Sequence, residues 1–136
     1  MKYMLDTNIC IFIIKNKPET VIRKFLQLDP TDICISSITY AELCHGVENS
    51  DAKEKNHIAL MMFLSGISIL SFDADAAQTY GIIRAKLQKQ GKPIGPMDML
   101  IAAHAKTLGL TLVTNNIREF SRVDDLKVED WVQGQK

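Results

Sequence analysis

The sequence is poor in cysteine and lacks any paired cysteine motif. Its three cysteines, Cys10, Cys34 and Cys44, are odd in number and lie among apolar neighbours. This pattern predicts buried, reduced thiols and excludes a disulfide framework. A zinc site built from Cys44, His45 and His57 would have none of the recognised ligand spacings, so it is only a weak alternative.

Long apolar runs and excess charge are also missing. No apolar segment approaches the roughly 20 residues that span a bilayer, and Asp6 interrupts the N-terminus too early for a signal peptide. We therefore expect a cytoplasmic protein with no membrane association. The formal net charge is zero, which excludes a protein that coats nucleic acid by charge alone; any polyanion must bind to a local basic patch.

What the chain does contain is an alternation of short apolar segments with longer amphipathic ones. With 136 residues, 46% of them hydrophobic, we expect one domain over residues 1–133 and a disordered tail at 134–136. The alternation predicts an α/β fold with a mainly parallel sheet of four to five strands and helices on both faces. The predicted strands are Tyr3–Leu5, Ile33–Ser36, Ile67–Leu70, Leu110–Val113 and an edge strand at Val128. The predicted helices run from a cap at Thr7 or Asn8 to Ile14, over Pro18–Leu28, and from a cap at Ser37 or Ser36 to Val47. Three more are predicted over Ala52–Leu64, Asp73–Gln90 and Asp98–Leu108.

Three carboxylates stand where a strand meets a helix or where a helix begins. Asp6 closes the first strand, Glu42 lies among apolar neighbours that predict burial, and Asp98 opens an Ala-rich helix after Gly95 and Pro96. Taken singly, Asp6 and Asp98 are equally typical of helix-capping acids. Together at one edge of a parallel sheet, the three would repel one another unless a cation held them. Hard divalent cations take oxygen ligands, so the combination predicts a metal-dependent phosphodiester hydrolase.

Four segments, in this order along the chain, carry a family resemblance. They are Leu5–Asn8 (LDTN), Ser37–Leu43 (SITYAEL), Gly95–Ala105 (GPMDMLIAAHA) and Val113–Phe120 (VTNNIREF). Together they resemble the PIN-domain family, and more narrowly the VapC-type toxins of bacterial toxin–antitoxin pairs, over about residues 3–133. The resemblance implies a PIN-like three-layer sandwich and an endoribonuclease that depends on Mg²⁺ or Mn²⁺. It also implies a homodimer, a small antitoxin partner and a structured RNA substrate such as a transfer RNA.

The resemblance also implies roles for individual residues. Asp6, Glu42 and Asp98 match the family's acidic metal ligands and are the candidate catalytic residues. Asn116 falls where many members have a fourth acid, and Glu119, three residues later, is the candidate to supply the missing charge. The residues that match the family's active-site surround are Thr7, Asn8, Ser37 and Thr114. Met97 departs from the family pattern, in which a polar or aromatic residue is common at that position.

Basic residues near the predicted site are candidate RNA contacts. Each of them taken singly is more typical of a solvated helix face, and only their position favours phosphate binding. These candidates are Arg84, Lys86, Lys89, Lys92, Arg118 and Arg122. His104 lies six residues after Asp98, on a different helix face, so we expect a structural histidine.

Two other functions are compatible with parts of the pattern. In a phosphohydrolase of the haloacid-dehalogenase type, Asp6 would be a phosphorylated nucleophile, but that chemistry requires a second acid where Asn8 stands. A non-catalytic nucleic-acid-binding module would have no reason to retain Asp6, Glu42 and Asp98 together.

Overall fold

Within residues 1–133, five parallel strands form one sheet in the order β3-β2-β1-β4-β5. The computed structural model describes residues 1–133, so the predicted disordered tail at 134–136 lies outside the described residues. The strands are β1 (Tyr3–Leu5), β2 (Ile33–Ser36), β3 (Ser68–Leu70), β4 (Thr111–Val113) and β5 (Val128–Glu129). The helices are α1 (Thr7–Ile14), α2 (Glu19–Gln27), α3 (Ser37–Glu48), α4 (Lys53–Leu64), α5 (Ala74–Lys89), α6 (Pro96–Leu108) and α7 (Ile117–Phe120).

The central strands are buried on both faces because helices cover each side of the sheet. Successive side chains of a strand point to opposite faces. Met4 and Leu112 accordingly pack into one apolar cluster with residues of α5 and α6. Their neighbours Leu5 and Val113 pack into a second cluster with residues of α1 to α4. The predicted α/β class and its three layers are therefore confirmed.

Local signals place most helix boundaries close to the predicted positions. Helix α6 begins at Pro96, two residues before the predicted start, because proline fits the first helical position, where no amide hydrogen bond is needed. It ends at Gly109, which adopts a left-handed φ of 69°. At α1 the predicted cap is wrong: Asp6, not Thr7 or Asn8, caps the helix by accepting a hydrogen bond from the Ile9 amide.

The cysteines are free, as expected, although only two of them are buried. Cys10 and Cys34 lie in the interior, whereas Cys44 on α3 is partly exposed. Within residues 1–133, no helix combines the length and apolar character needed to cross a membrane.

Candidate active site

The strand order creates a crevice between β1 and β4. From β1 the chain adds β2 and β3 on one side, then returns to add β4 and β5 on the other. Such a switch of direction leaves an opening beyond the carboxyl ends of the two central strands, where α/β proteins bind ligands. Asp6 follows β1 and Thr114 follows β4 at this opening, and the Asp6 amide donates to the Val113 carbonyl at 3.0 Å.

Asp6 is an almost fully buried carboxylate, with 4% of its surface exposed. Its pKa is raised from 3.8 to about 6, chiefly by burial and further by the charges of Asp98 and Glu42. Hydrogen bonds from the Thr114 hydroxyl and the Ile9 amide oppose this rise because they stabilise the ionised form. The Thr114 hydroxyl oxygen also accepts a hydrogen bond from the backbone N–H of Asn116 at 2.9 Å, which restricts the orientation of the hydroxyl.

Glu42 reaches the crevice from the middle of α3. The Thr7 hydroxyl at the start of α1 donates to Glu42 Oε1 at 2.5 Å. This contact links the helix that follows β1 to the helix that follows β2. Thr7 therefore orients Glu42, which gives a physical role to a residue that the sequence placed only in the surround. Asn8, the neighbouring position, is exposed.

Asp98 lies in the first turn of α6 and is half-buried. Burial is the largest cause of its raised pKa, followed by the charges of Glu119 and Glu42. Glu119 on α7 thus faces Asp98 closely enough to affect its ionisation. We call Asp6, Glu42, Asp98 and Glu119 the acidic cluster. Asn116 caps α7 through its backbone, and its side chain makes no capping hydrogen bond.

A buried polar contact fixes α6 against the start of α3. His104 Nδ1 lies 2.8 Å from Ser36 Oγ, and Ser36 also caps α3 by accepting the Ile38 amide at 3.1 Å. Burial lowers the pKa of His104, which favours the neutral ring, and that ring packs edge-on against Phe72. His104 is therefore an interior residue, as predicted. Ser37, predicted in the active-site surround, accepts a hydrogen bond from the Phe72 backbone N–H at 3.0 Å, which joins α3 to the segment after β3.

The donor set of the acidic cluster suits Mg²⁺ or Mn²⁺. Its donors are carboxylate oxygens. Burial is the largest cause of the raised pKa values of Asp6 and Asp98, the charges of the neighbouring acids add to it, and a bound cation would offset both effects. Within residues 1–133, no three His, Cys, Asp or Glu side chains already surround one ion position, and this includes Cys44, His45 and His57. A spread of carboxylates still fits Mg²⁺, because this ion keeps several waters and takes few protein oxygens.

Two recesses adjoin Glu42. The first, of about 360 Å³, is lined by Thr7, Ala41, Glu42, His45 and Met97, and we call it the Met97 recess. The second, also of about 360 Å³, is a largely aliphatic groove between α1, α3 and α4. Its lining includes Ile11, Ile14, Leu43, Val47 and Leu60, and Glu42 stands at its edge. His45 and Met97 line the first recess but were not among the predicted site residues, although His45 is one helical turn from Glu42 and Met97 directly precedes Asp98.

Half of the predicted RNA contacts have other partners. Lys86 forms an ion pair with Asp124 and lines a recess together with Lys106 of α6. Lys106 is eight residues after Asp98, or about 12 Å along the helix axis, so this recess lies toward the opposite end of α6 from Asp98. Arg122 donates to the Pro93 carbonyl at 3.0 Å, and Arg84 donates to the Tyr80 hydroxyl at 2.9 Å. The remaining candidates, Lys89, Lys92 and Arg118, are exposed, and no ion pair engages them in the described part of the chain.

Comparisons with known proteins agree with this architecture. The family profile described as "PIN domain" matches residues 3–126. The chain is 52% identical over 131 residues to the tRNA(fMet)-specific endonuclease VapC of Shigella flexneri, covering 96% of this chain and 98% of that protein. It is 48% identical over 132 residues to ribonuclease VapC2 of Haemophilus influenzae, covering 97% and 99%. Among solved structures, DNA-bound VapBC from Salmonella typhimurium superposes with a TM-score of 0.90 at 50% identity, covering 96% of this chain and 98% of that one.

Proposed function

The chain belongs to the PIN-domain family, and on that basis we propose that it is a metal-dependent endoribonuclease, the toxin of a toxin–antitoxin pair. The observation that carries the proposal is the acidic cluster at the carboxyl ends of β1 and β4, where two carboxylates have raised pKa values. Burial and like-charge repulsion both disfavour the ionised carboxylates, and a bound cation would offset both. We propose that residues 1–133 act together as one nuclease unit.

Asp6, Glu42 and Asp98 would hold the metal ion. When bound, a divalent cation lowers the pKa of a coordinated water and neutralises charge on phosphate oxygens. The protein supplies the placement of the carboxylates. Thr114 and the Ile9 amide hold Asp6, and Thr7 holds Glu42. Such outer contacts set the orientation of the acids before any ligand arrives.

Glu119 is the fourth acid in this proposal. Its charge acts on Asp98, whereas the Asn116 amide group carries no charge and binds Mg²⁺ more weakly than a carboxylate does. Glu119 would then contribute through a water held between it and the ion. Mg²⁺ and Mn²⁺ both fit an all-oxygen donor set.

The proposed substrate is a structured RNA, and a transfer RNA is the leading candidate because a relative that is 52% identical is named for one. Proteins read RNA loops through unstacked bases and shape. Lys89, Lys92 and Arg118, the predicted RNA contacts that form no ion pair within residues 1–133, would contact its phosphates. Cleavage in the cytoplasm fits a chain whose three cysteines are free.

The proposed protein partner is a small antitoxin, in keeping with the VapBC complex that superposes on this chain. The aliphatic groove between α1, α3 and α4 supports this, because it offers apolar surface for a partner segment and ends at Glu42. A segment lying there would block access to the acidic cluster. The family resemblance further supports a homodimer.

The test is cleavage of RNA by the purified protein with Mg²⁺ or Mn²⁺. We expect cleavage to stop with EDTA and to fall by about 100-fold or more in Asp98→Asn, because a metal ligand is lost. Asp75→Asn is the matched control, since Asp75 is an exposed acid in the first turn of α5. Cleavage that continues in EDTA, or that is lost equally in both variants, would contradict the metal mechanism.

The toxin assignment needs a second experiment. Expression in a bacterial cell should arrest growth, and co-expression of the small protein encoded beside it should restore growth. The Asp98→Asn protein should be harmless at the same level of expression. Harmless expression of protein that is active in vitro would contradict the toxin assignment while leaving the nuclease assignment intact.

A further inference from the structure

The Met97 recess differs in chemistry from the rest of the site. Met97, the second residue of α6, has 49% of its surface exposed although it is a large apolar side chain. His45 on α3 is also exposed. Ala41, one turn before His45, has a small side chain and leaves space in the recess that His45 and Met97 line. The lining contains no lysine or arginine, so the recess is unsuited to a phosphate group.

The lining is instead suited to a flat aromatic heterocycle. An imidazole ring offers a face for stacking, and RNA-binding proteins stack unpaired bases on such side chains. A thioether makes favourable contacts with aromatic rings and adapts to their shape. The volume of about 360 Å³ lies in the range of about 300–1,000 Å³ for small-ligand sites.

The position of the recess fixes which group could enter it. Glu42 lines the recess and also belongs to the acidic cluster, and Met97 directly precedes Asp98. A nucleotide whose phosphate lies at the cluster therefore has its base within reach of His45 and Met97. The aliphatic groove on the other side of Glu42 lacks histidine and aromatic residues, so it is better suited to a peptide.

We propose that the Met97 recess is a nucleobase subsite, which rests on the proposed ribonuclease function. It holds the unstacked base of the nucleotide next to the scissile phosphate, between the His45 ring and the Met97 thioether. Phosphate contacts carry no sequence information, whereas a contact with a base does. His45 and Met97 therefore set the nucleotide preference at the cleavage position.

The first experiment maps the cleavage positions. His45→Ala, Met97→Ala and the double variant would be incubated with total bacterial RNA and Mg²⁺, and the new RNA ends sequenced. The controls are His57→Ala and Met62→Ala, which remove exposed side chains of the same types from α4. We expect the test variants to lose the nucleotide preference of the unaltered protein, and both controls to retain it.

The second experiment measures the contribution of the base itself. Alanine substitution of a stacking residue costs about 1–3 kcal/mol, equivalent to a rise in KM of about 5- to 150-fold with kcat little changed. An oligonucleotide that is abasic at the mapped position should be cut poorly by the unaltered protein. The double variant should cut the abasic and intact substrates equally, because it no longer contacts the base.

Three outcomes would overturn the subsite. An unchanged nucleotide preference in the double variant would show that the recess binds no base. A change of oligomeric state in the same variant, measured by light scattering, would show that a second copy of the chain covers the recess. Failure of the unaltered protein to cut any RNA would overturn the proposed function and the subsite with it. This outcome is distinguishable from failure of the subsite alone, because it appears in the unaltered protein, whereas the first two outcomes appear only in the double variant.

Discussion

Replacing Asp6 by asparagine should stabilise the metal-free protein at neutral pH. The side chain keeps its Oδ1 atom, so the hydrogen bond from the Ile9 amide at 2.9 Å and the cap of α1 survive. What disappears is a buried negative charge that faces Asp98 and Glu42. The change therefore separates the capping role of Asp6 from the electrostatic cost of its ionisation.

The magnitude follows from the pKa of Asp6. A rise from 3.8 to about 6 means that ionising the folded protein costs about 3 kcal/mol more than ionising the unfolded chain. The new amide group buries N–H donors that lack ideal partners, at a cost of about 1–2 kcal/mol. The net gain in the free energy of unfolding should therefore be about 1–2 kcal/mol at pH 7.

The sign depends on pH. Because the folded pKa is the higher one, Asp6 contributes stability below pH 3.8, and this contribution is lost as the pH rises through about 6. The Asp6→Asn protein lacks this dependence. Its advantage over the unaltered protein should therefore be absent near pH 4 and should grow up to pH 7.

Urea unfolding in EDTA at several pH values measures this advantage. Asp29→Asn is the matched control, because Asp29 also caps a helical turn, yet hydrogen bonds from Thr31 lower its pKa. Asp29 therefore contributes stability above its ordinary pKa, and its replacement should give no gain at pH 7. Added Mg²⁺ should stabilise the unaltered protein more than Asp6→Asn. A variant that is less stable than the unaltered protein at every pH would refute the reasoning.

Two other substitutions test the surroundings of the acidic cluster. Glu119→Gln should weaken Mg²⁺ affinity by about tenfold or more while leaving residual cleavage at high Mg²⁺; an unchanged metal titration would show that Glu119 is a surface acid. His104→Leu removes the contact with Ser36 that fixes α6 to the start of α3, and should lower both stability, by about 1–3 kcal/mol, and the cleavage rate. Thr107→Val removes the hydrogen bond to Thr79 one turn after His104, on a contact of α6 with α5, and should lower stability alone. Equal losses of cleavage in the two variants would count against a positioning role for His104.

Local sequence determined the elements of this protein and the places of its acids. Apolar strands end at Leu5 and Val113, and proline and glycine delimit α6, because these signals act within a few residues. The same locality explains why Asp6 could be assigned to a strand–helix junction, and Asp98 to the start of a helix, before their neighbours were known. It also explains the error at α1, since Asp6, Thr7 and Asn8 are all residue types that cap helices and differ only in backbone geometry.

Only the tertiary structure decided which of these groups meet. The strand order places β4 beside β1, which brings the Thr114 hydroxyl to Asp6 across more than a hundred residues of sequence. Helix packing joins Thr7 to Glu42, and pairs Lys86 with Asp124, so that a predicted RNA contact is engaged elsewhere. Such pairings depend on how whole elements pack against one another. Apolar periodicity shows which face of an element is buried but does not specify the partner it is buried against.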